Sequence, residues 1–264
     1  MHHTRLATVF LVLLTLARIE GASLPSISWW QDQNKQRQTR EIETEVAQLA
    51  TQLRSGDQEE RRDAAIKLSH IDGEAACSAL ASGLNDASPG LRALVLAGLG
   101  HRSETMVIPL VAARLTLDKH PFVRKAAAYA LARFQGSART AALIAGLKDK
   151  DPEVRGAVAV ALANHADSSA VDPLATALSD KNDFVRAHSA RALGVNGKSA
   201  NSAVPALIKL LDSDSEAEVK RQAAAALGAI ADRSALPSLE RATRDSDSHL
   251  AQIARDSIRM IEGK

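Results

Sequence analysis

Apolar positions along residues 57–261 follow two rhythms at once, a short one within each segment and a long one between segments. In "DPEVRGAVAVALANH", Asp151 to His165, the residues Val154, Val158, Ala161 and Leu162 fall at helical spacing and form one stripe. Asp151 stands where a helix start needs an acceptor. Pro152 takes the first helical position, which has no use for an N–H. "NHADSS" breaks the pattern, and "AVDPLATALSD" starts a second stripe of Val171, Leu174, Ala175 and Leu178. Pro173 lies in or near the first turn of that segment, where proline is tolerated, and Pro109, Pro205 and Pro237 recur in the same role. The pattern predicts a helix, a turn and a second helix.

The same unit returns along the chain. "EERRDAAIKL", "PGLRALVLAGL", "PFVRKAAAYAL", "PEVRGAVAVAL", "DFVRAHSARAL" and "AEVKRQAAAAL" align on Arg61, Arg92, Arg124, Arg155, Arg186 and Lys220, with Ala251 in that place in a seventh copy. Seven residues after each comes Leu68, Leu99, Leu131, Leu162, Leu193, Leu227 or Ile258. Six residues before come Asp86, Asp118, Asp149, Asp180, Asp214 and Asp245, whereas the first copy has Ser55 there and Asp57 nearby. A repeat of this period is the mark of stacked supersecondary units. One helix pair cannot bury its own stripe, but stacked copies share a continuous core. The expectation is an all-α solenoid of about seven helix–turn–helix repeats spanning residues 37–264. Residues 37–56, with Ile42, Val46, Leu49 and Leu53 in line, would cap its start. Residues 247–264, with Gln252, Arg255, Asp256 and Arg259 on a polar face, would cap its end.

These units resemble HEAT repeats, specifically the short PBS-lyase HEAT-like type. The stretches 118–131 and 149–162 come close to that family's D-x-(D/H)-P-x-V-R-x-x-A-x-x-A-L signature. The resemblance implies a scaffold for protein–protein interaction. It also implies that Arg92, Arg124, Arg155, Arg186 and Lys220 form a ladder with Asp86, Asp118, Asp149, Asp180 and Asp214 between neighbouring repeats. Some family members assist chromophore attachment, so a lyase-like or enzyme-accessory subunit of the phycobilin lyase type is the alternative expectation. Fold alone does not choose between these.

Composition sharpens the picture. Apolar residues make up 45% of the chain but aromatics only 3%, which suits helices packed closely on Ala, Leu and Val. The formal charge of +2 lacks the basic excess of a nucleic-acid binder, so none is expected as partner. Residues 1–22 carry Arg5, an apolar run from Leu6 to Ala17, then Gly21 and Ala22, the layout of a secretory signal peptide. That run is shorter than the roughly 20 residues needed to cross a bilayer, so membrane attachment is expected only if the segment stays uncleaved. A periplasmic or secreted location follows. Residues 23–36 read as a polar linker carrying Trp29 and Trp30. Cys77, the single cysteine, reads as a small buried residue.

Candidate chemistry is sparse. "ALGVNGKS", Ala192 to Ser199, has a relaxed phosphate-loop pattern but follows a helical segment instead of a strand, so it reads as a turn. "DSDSE", Asp212 to Glu216, lacks the glycine and distal Glu of a calcium loop. His70 and His101 occupy equivalent places in successive copies, too far apart for one metal. No catalytic residue, metal or cofactor is expected. The residues one, two and five places after each basic position are expected to face the concave side. The partner-binding set read from them is Ile66, Leu94, Ala97, Lys125, Tyr129, Val160, Arg191 and Arg221, apolar in the middle and basic toward the C-terminus. The functional expectation is an exported, monomeric, non-catalytic adaptor that binds another protein there.

Overall fold

The computed structural model describes residues 27–263, and the segment expected to be a signal peptide, 1–22, lies outside them. The chain divides into two units, Met1–Gln48 and Leu49–Lys264. Helix α1 (Ile27–Ser55) crosses that boundary. Residues 27–36 are therefore helical, where a polar linker was expected. Polarity reports solvent exposure, not absence of structure: Gln, Lys, Arg and Glu are good helix formers, and Arg37 pairs with Glu41 at 2.9 Å one turn on. Trp29 and Trp30 meet edge to face, with ring centroids 5.4 Å apart. Val46, Leu49 and Leu53 are buried, but Ile42 is exposed.

The second unit is the solenoid. Its inner helices are α2 (Gln58–His70), α4 (Pro89–Gly100), α6 (Pro121–Leu131), α8 (Pro152–Leu162), α10 (Asp183–Asn196), α12 (Ala217–Ile230) and α14 (Ser248–Glu262). Alternating with them are the outer helices α3 (Glu74–Ser82), α5 (Ile108–Leu117), α7 (Ser137–Gly146), α9 (Val171–Ala177), α11 (Val204–Ser213) and α13 (Leu236–Ala242). Each inner helix packs on the next inner helix, and α4, α6, α8, α10, α12 and α14 each pack on the outer helix that precedes them. Starts are capped as expected: Asp57 closes a capping box with Glu60, and the Asp151 carboxylate accepts from the Glu153 amide.

Leu68, Leu99, Leu131, Leu162, Leu193 and Leu227 are all buried, as are Val154, Val158, Val171, Leu174 and Cys77. Burial pushes the Cys77 thiol above its ordinary pKa, with Glu104 acting in the same direction. Small residues let inner helices approach closely: a Cβ on Gly100 would lie 3.0 Å from the Ala130 Cα, and one on Gly194 3.1 Å from the Ala226 Cα. A core built this way has little room for rings, and Phe134 is its one buried aromatic among the described residues. The "VNGKS" stretch ends α10 at Gly197, whose φ is 52°, and continues as a 3-10 turn.

The expected ladder is present, with its last rung displaced. Arg124 donates from Nε and Nη2 to both carboxylate oxygens of Asp149, at 2.6 and 2.8 Å, and from Nη1 to the Asp118 carbonyl at 3.0 Å. Arg92 treats Asp118 the same way, Arg155 treats Asp180, and Arg186 treats Asp214. Each Arg thus ties its own repeat's entry turn to the next one, and each Asp also accepts from the amide two residues on. Arg61 Nε lies 2.8 Å from Asp86, but its N–H is not aimed at the oxygen. Lys220, expected as the last basic rung, does not form one. Arg221 does so instead, with Asp247 at 2.8 Å. The reason is geometric: the acceptor is Asp247, the N-cap of α14 and two residues past the ladder place at Asp245. The Arg221 fork reaches it with Nε and Nη2 while giving Nη1 to Glu218, a span that a lysine's point donor does not cover. Burial raises Asp149, but the hydrogen bonds from Arg124 and the Asp151 amide outweigh it and hold the carboxyl below the usual range. Asp118, Asp180 and Asp214 are lowered by the same balance.

A second set of ties runs along the opposite edge. Arg102 donates to the Leu68 carbonyl, Asn164 to that of Ala132, and Asn196 accepts from the Asp167 amide. Arg139, only 1% exposed, bridges the Leu131 and Ala161 carbonyls at the C-terminal ends of α6 and α8. In the other repeats its place is taken by Ala76, Val107, Ala170, Ala203 and Ala235, all buried. The negative ends of two helix dipoles stand in for a carboxylate. Burial still pushes the Arg139 guanidinium below its ordinary pKa, opposed by the charge of Asp167.

Candidate partner-binding face

Packing of inner helix on inner helix leaves one long side of each without a protein neighbour, and the residues there come up in rows. Two places before the ladder position stand Phe122, Glu153, Phe184 and Glu218, all exposed. Five places after it stand Ile66, Ala97, Tyr129, Val160 and Arg191. Phe122, Tyr129 and Phe184 are 58%, 47% and 48% exposed, so three of the chain's few aromatic rings face outward on α6 and α10.

Between Tyr129 and Phe184 lies a cleft of about 250 Å³, lined also by Lys125, Pro152, Glu153 and Asn182. Its polar wall is an ion pair: Lys125 Nζ donates to Glu153 at 2.6 Å, and that bond raises the lysine pKa. Phe184 leans from α10 across α8. A Cβ on Gly156 would lie 2.5 Å from its ring, so glycine is what lets the ring settle there. One turn on, His188 packs against Phe184 with ring centroids 4.1 Å apart. Burial lowers the His188 pKa and nearby Arg191 lowers it further, so the imidazole is neutral at neutral pH. Arg133 and Arg191 are exposed and take part in no ion pair among the described residues.

A profile of HEAT repeats matches residues 46–132, 78–146, 140–201 and 185–259, overlapping segments that span the helical array. The chain belongs to the HEAT-repeat family. No curated protein matches it. Among solved structures it is similar to that of Escherichia coli YibA, at 23% identity, TM-score 0.62, covering 84% of this chain and 82% of that one. It is also similar to an engineered protein at 23% identity, TM-score 0.54, covering 82% of this chain and 68% of that one. Likeness at this identity speaks for the fold alone.

In HEAT terms, the sequence-predicted face is partly assembled and partly not. Tyr129 and Arg191 are exposed where expected, Lys125 and Val160 are half-buried beside them, and Leu94, Ala97 and Ile66 continue the face toward the N-terminus. Arg221 does not belong to it: its guanidinium is taken by Asp247 and Glu218. The positions one and two places after the ladder residue were also expected to face a partner. Ala93, Gly156, Ala157 and Ala187 are instead buried, because they are where neighbouring HEAT helices touch. Phe122 and Phe184 were missed. A signal for them existed in "HPFVR" and "NDFVR", since the same place holds Glu59, Glu153 and Glu218 in sister repeats, and a glutamate there marks a solvent-facing position.

Proposed function

We propose that this protein is an exported HEAT-repeat adaptor that acts as a monomer without catalysis, and binds a partner protein through the open face of its inner helices. The observation that carries this is the cleft between the exposed rings of Tyr129 and Phe184, with a third exposed ring, Phe122, on the same helix as Tyr129. Exposed aromatics gathered on one face are the usual anchors of an interface. The non-catalytic part is supported by where the conspicuous Arg and Asp residues go: they are consumed by the ladder, in near-identical copies. The export part rests on the sequence of residues 1–22 alone.

The test is crosslinking in the native cell with wild type and with Tyr129→Glu plus Val160→Glu. The reading requires a partner captured by the wild type and lost in the double variant at unchanged far-UV circular dichroism. Equal capture by both proteins moves the site off this face. N-terminal sequencing of the protein from fractionated cells checks export: a chain that still begins at Met1 in the cytosolic fraction ends that part of the reading.

A further inference from the structure

The charges around the cleft are not spread evenly. The edge near the helix starts is acidic, with Glu153, Asp183 and Glu218 exposed. Glu153 is already matched by Lys125, and Glu218 by Arg221. The edge near the helix ends carries Arg133 just past α6 and Arg191 on α10, with no carboxylate paired to either among the described residues. Unmatched, weakly hydrated guanidinium groups beside an apolar seat are complementary to a carboxylate that arrives with an apolar anchor. We propose that the cleft takes a linear acidic peptide segment, with one aromatic or large aliphatic side chain seated between Tyr129 and Phe184 and Asp or Glu residues against Arg133 and Arg191. This rests on the reading of the face as the partner-binding surface and names the partner's chemistry.

Spacing makes the proposal specific. Arg191 is seven residues beyond Phe184 on α10, about 10 Å along the axis at about 1.5 Å per residue. Arg133 is four residues beyond Tyr129, about 6 Å. An extended peptide advances about 3.3 Å per residue. An acid about two residues from a side chain seated at Tyr129 comes level with Arg133, and one about three residues from a side chain seated at Phe184 comes level with Arg191. A peptide is favoured over a nucleic acid because the exposed Glu153, Asp183 and Glu218 on the other edge of the cleft would repel a phosphate backbone.

The experiment is fluorescence anisotropy with the full chain and a panel of labelled dodecapeptides. Each has a central Phe, Leu, Trp or Gly in a Gly/Ser background, with paired Glu, Gln or Lys two and three residues away on either side. Oligo-dT is included as a competitor. The expected result is that a Glu peptide with an apolar centre binds about tenfold tighter than its Gln sibling, and more so than its Lys sibling. Arg133→Glu plus Arg191→Glu should reverse that order, and Phe184→Ala should weaken binding about tenfold while leaving the order intact. If Lys or Gln peptides bind better, and Tyr129→Glu plus Val160→Glu abolishes that binding, the acidic assignment is overturned while the face remains the binding surface. If no peptide binds above its Gly-centred control, or oligo-dT displaces every peptide, the peptide site itself is overturned.

Discussion

At the scale of single residues, Arg139 and Phe184 show how one position in a regular array acquires a distinct task. Five sister repeats fill the Arg139 slot with alanine or valine, and this one buries a guanidinium held by the carbonyls of two helix ends. Replacing it leaves a cavity and unpaired carbonyls, both costly in a packed core. Arg139→Ala is expected to destabilise the protein by about 3 kcal/mol in urea unfolding, and a cost near zero would mean that the site collapses or admits water. Phe184 depends on a glycine that it touches on the neighbouring inner helix, 28 positions earlier in sequence. Gly156→Val is expected to dislodge the ring without unfolding the array. Loss of the Phe184–His188 ring contact in NMR chemical shifts of the imidazole would report it, and unchanged shifts would show that the ring has another support.

At the scale of elements, the ladder sets how each helix pair meets the next. Arg124 ties the entry turns of α6 and α8, and lysine in its place keeps the charge but loses the fork. Arg124→Lys is expected to raise amide exchange first in α6 and α8, with α12 and α14 unaffected. Uniform exchange across the array would instead mean that the solenoid opens as one cooperative unit. The same carboxylates predict a pH dependence. Asp118, Asp149, Asp180 and Asp214 are held below their unfolded value of about 3.9. A depressed carboxyl stabilises the fold above the unfolded pKa, and the contribution is lost as pH falls through the folded one. The thermal midpoint should be level from about pH 7 to about pH 5 and drop below about pH 4. Asp149→Asn should start lower and fall less steeply. A parallel fall in both proteins would assign acid sensitivity to other groups.

At the scale of the whole molecule, the repeat period, the helix pairing, the leucine core and most ladder members are legible in the sequence. They depend on short-range order: helical spacing, N-cap chemistry and a period that recurs with little drift. Leu68 through Leu227 are buried because every copy presents the same stripe, and each ladder Arg stands six residues after its own repeat's Asp because the entry turns are alike, while the span to the next repeat's Asp stretches from 25 to 28 residues with repeat length. What the sequence by itself determined is therefore the unit and its repetition. Tertiary structure alone decided which side of each unit stays open. Gly156, Ala157 and Ala187 look like open-face residues in one helix and become contact residues once a second helix packs on them. Phe122 and Phe184 stand at a place where sister repeats carry Glu, which marks it as solvent-facing, but only the stack brings Phe184 across Gly156 toward Tyr129. Lys220 and Arg221 are adjacent cations, and only the position of Asp247 in the next repeat selects the arginine. The physical reason is the same in each case: burial, charge pairing and exposure depend on the neighbour that arrives across the stack, and that neighbour's place is set by close packing between small residues, not by the local chain.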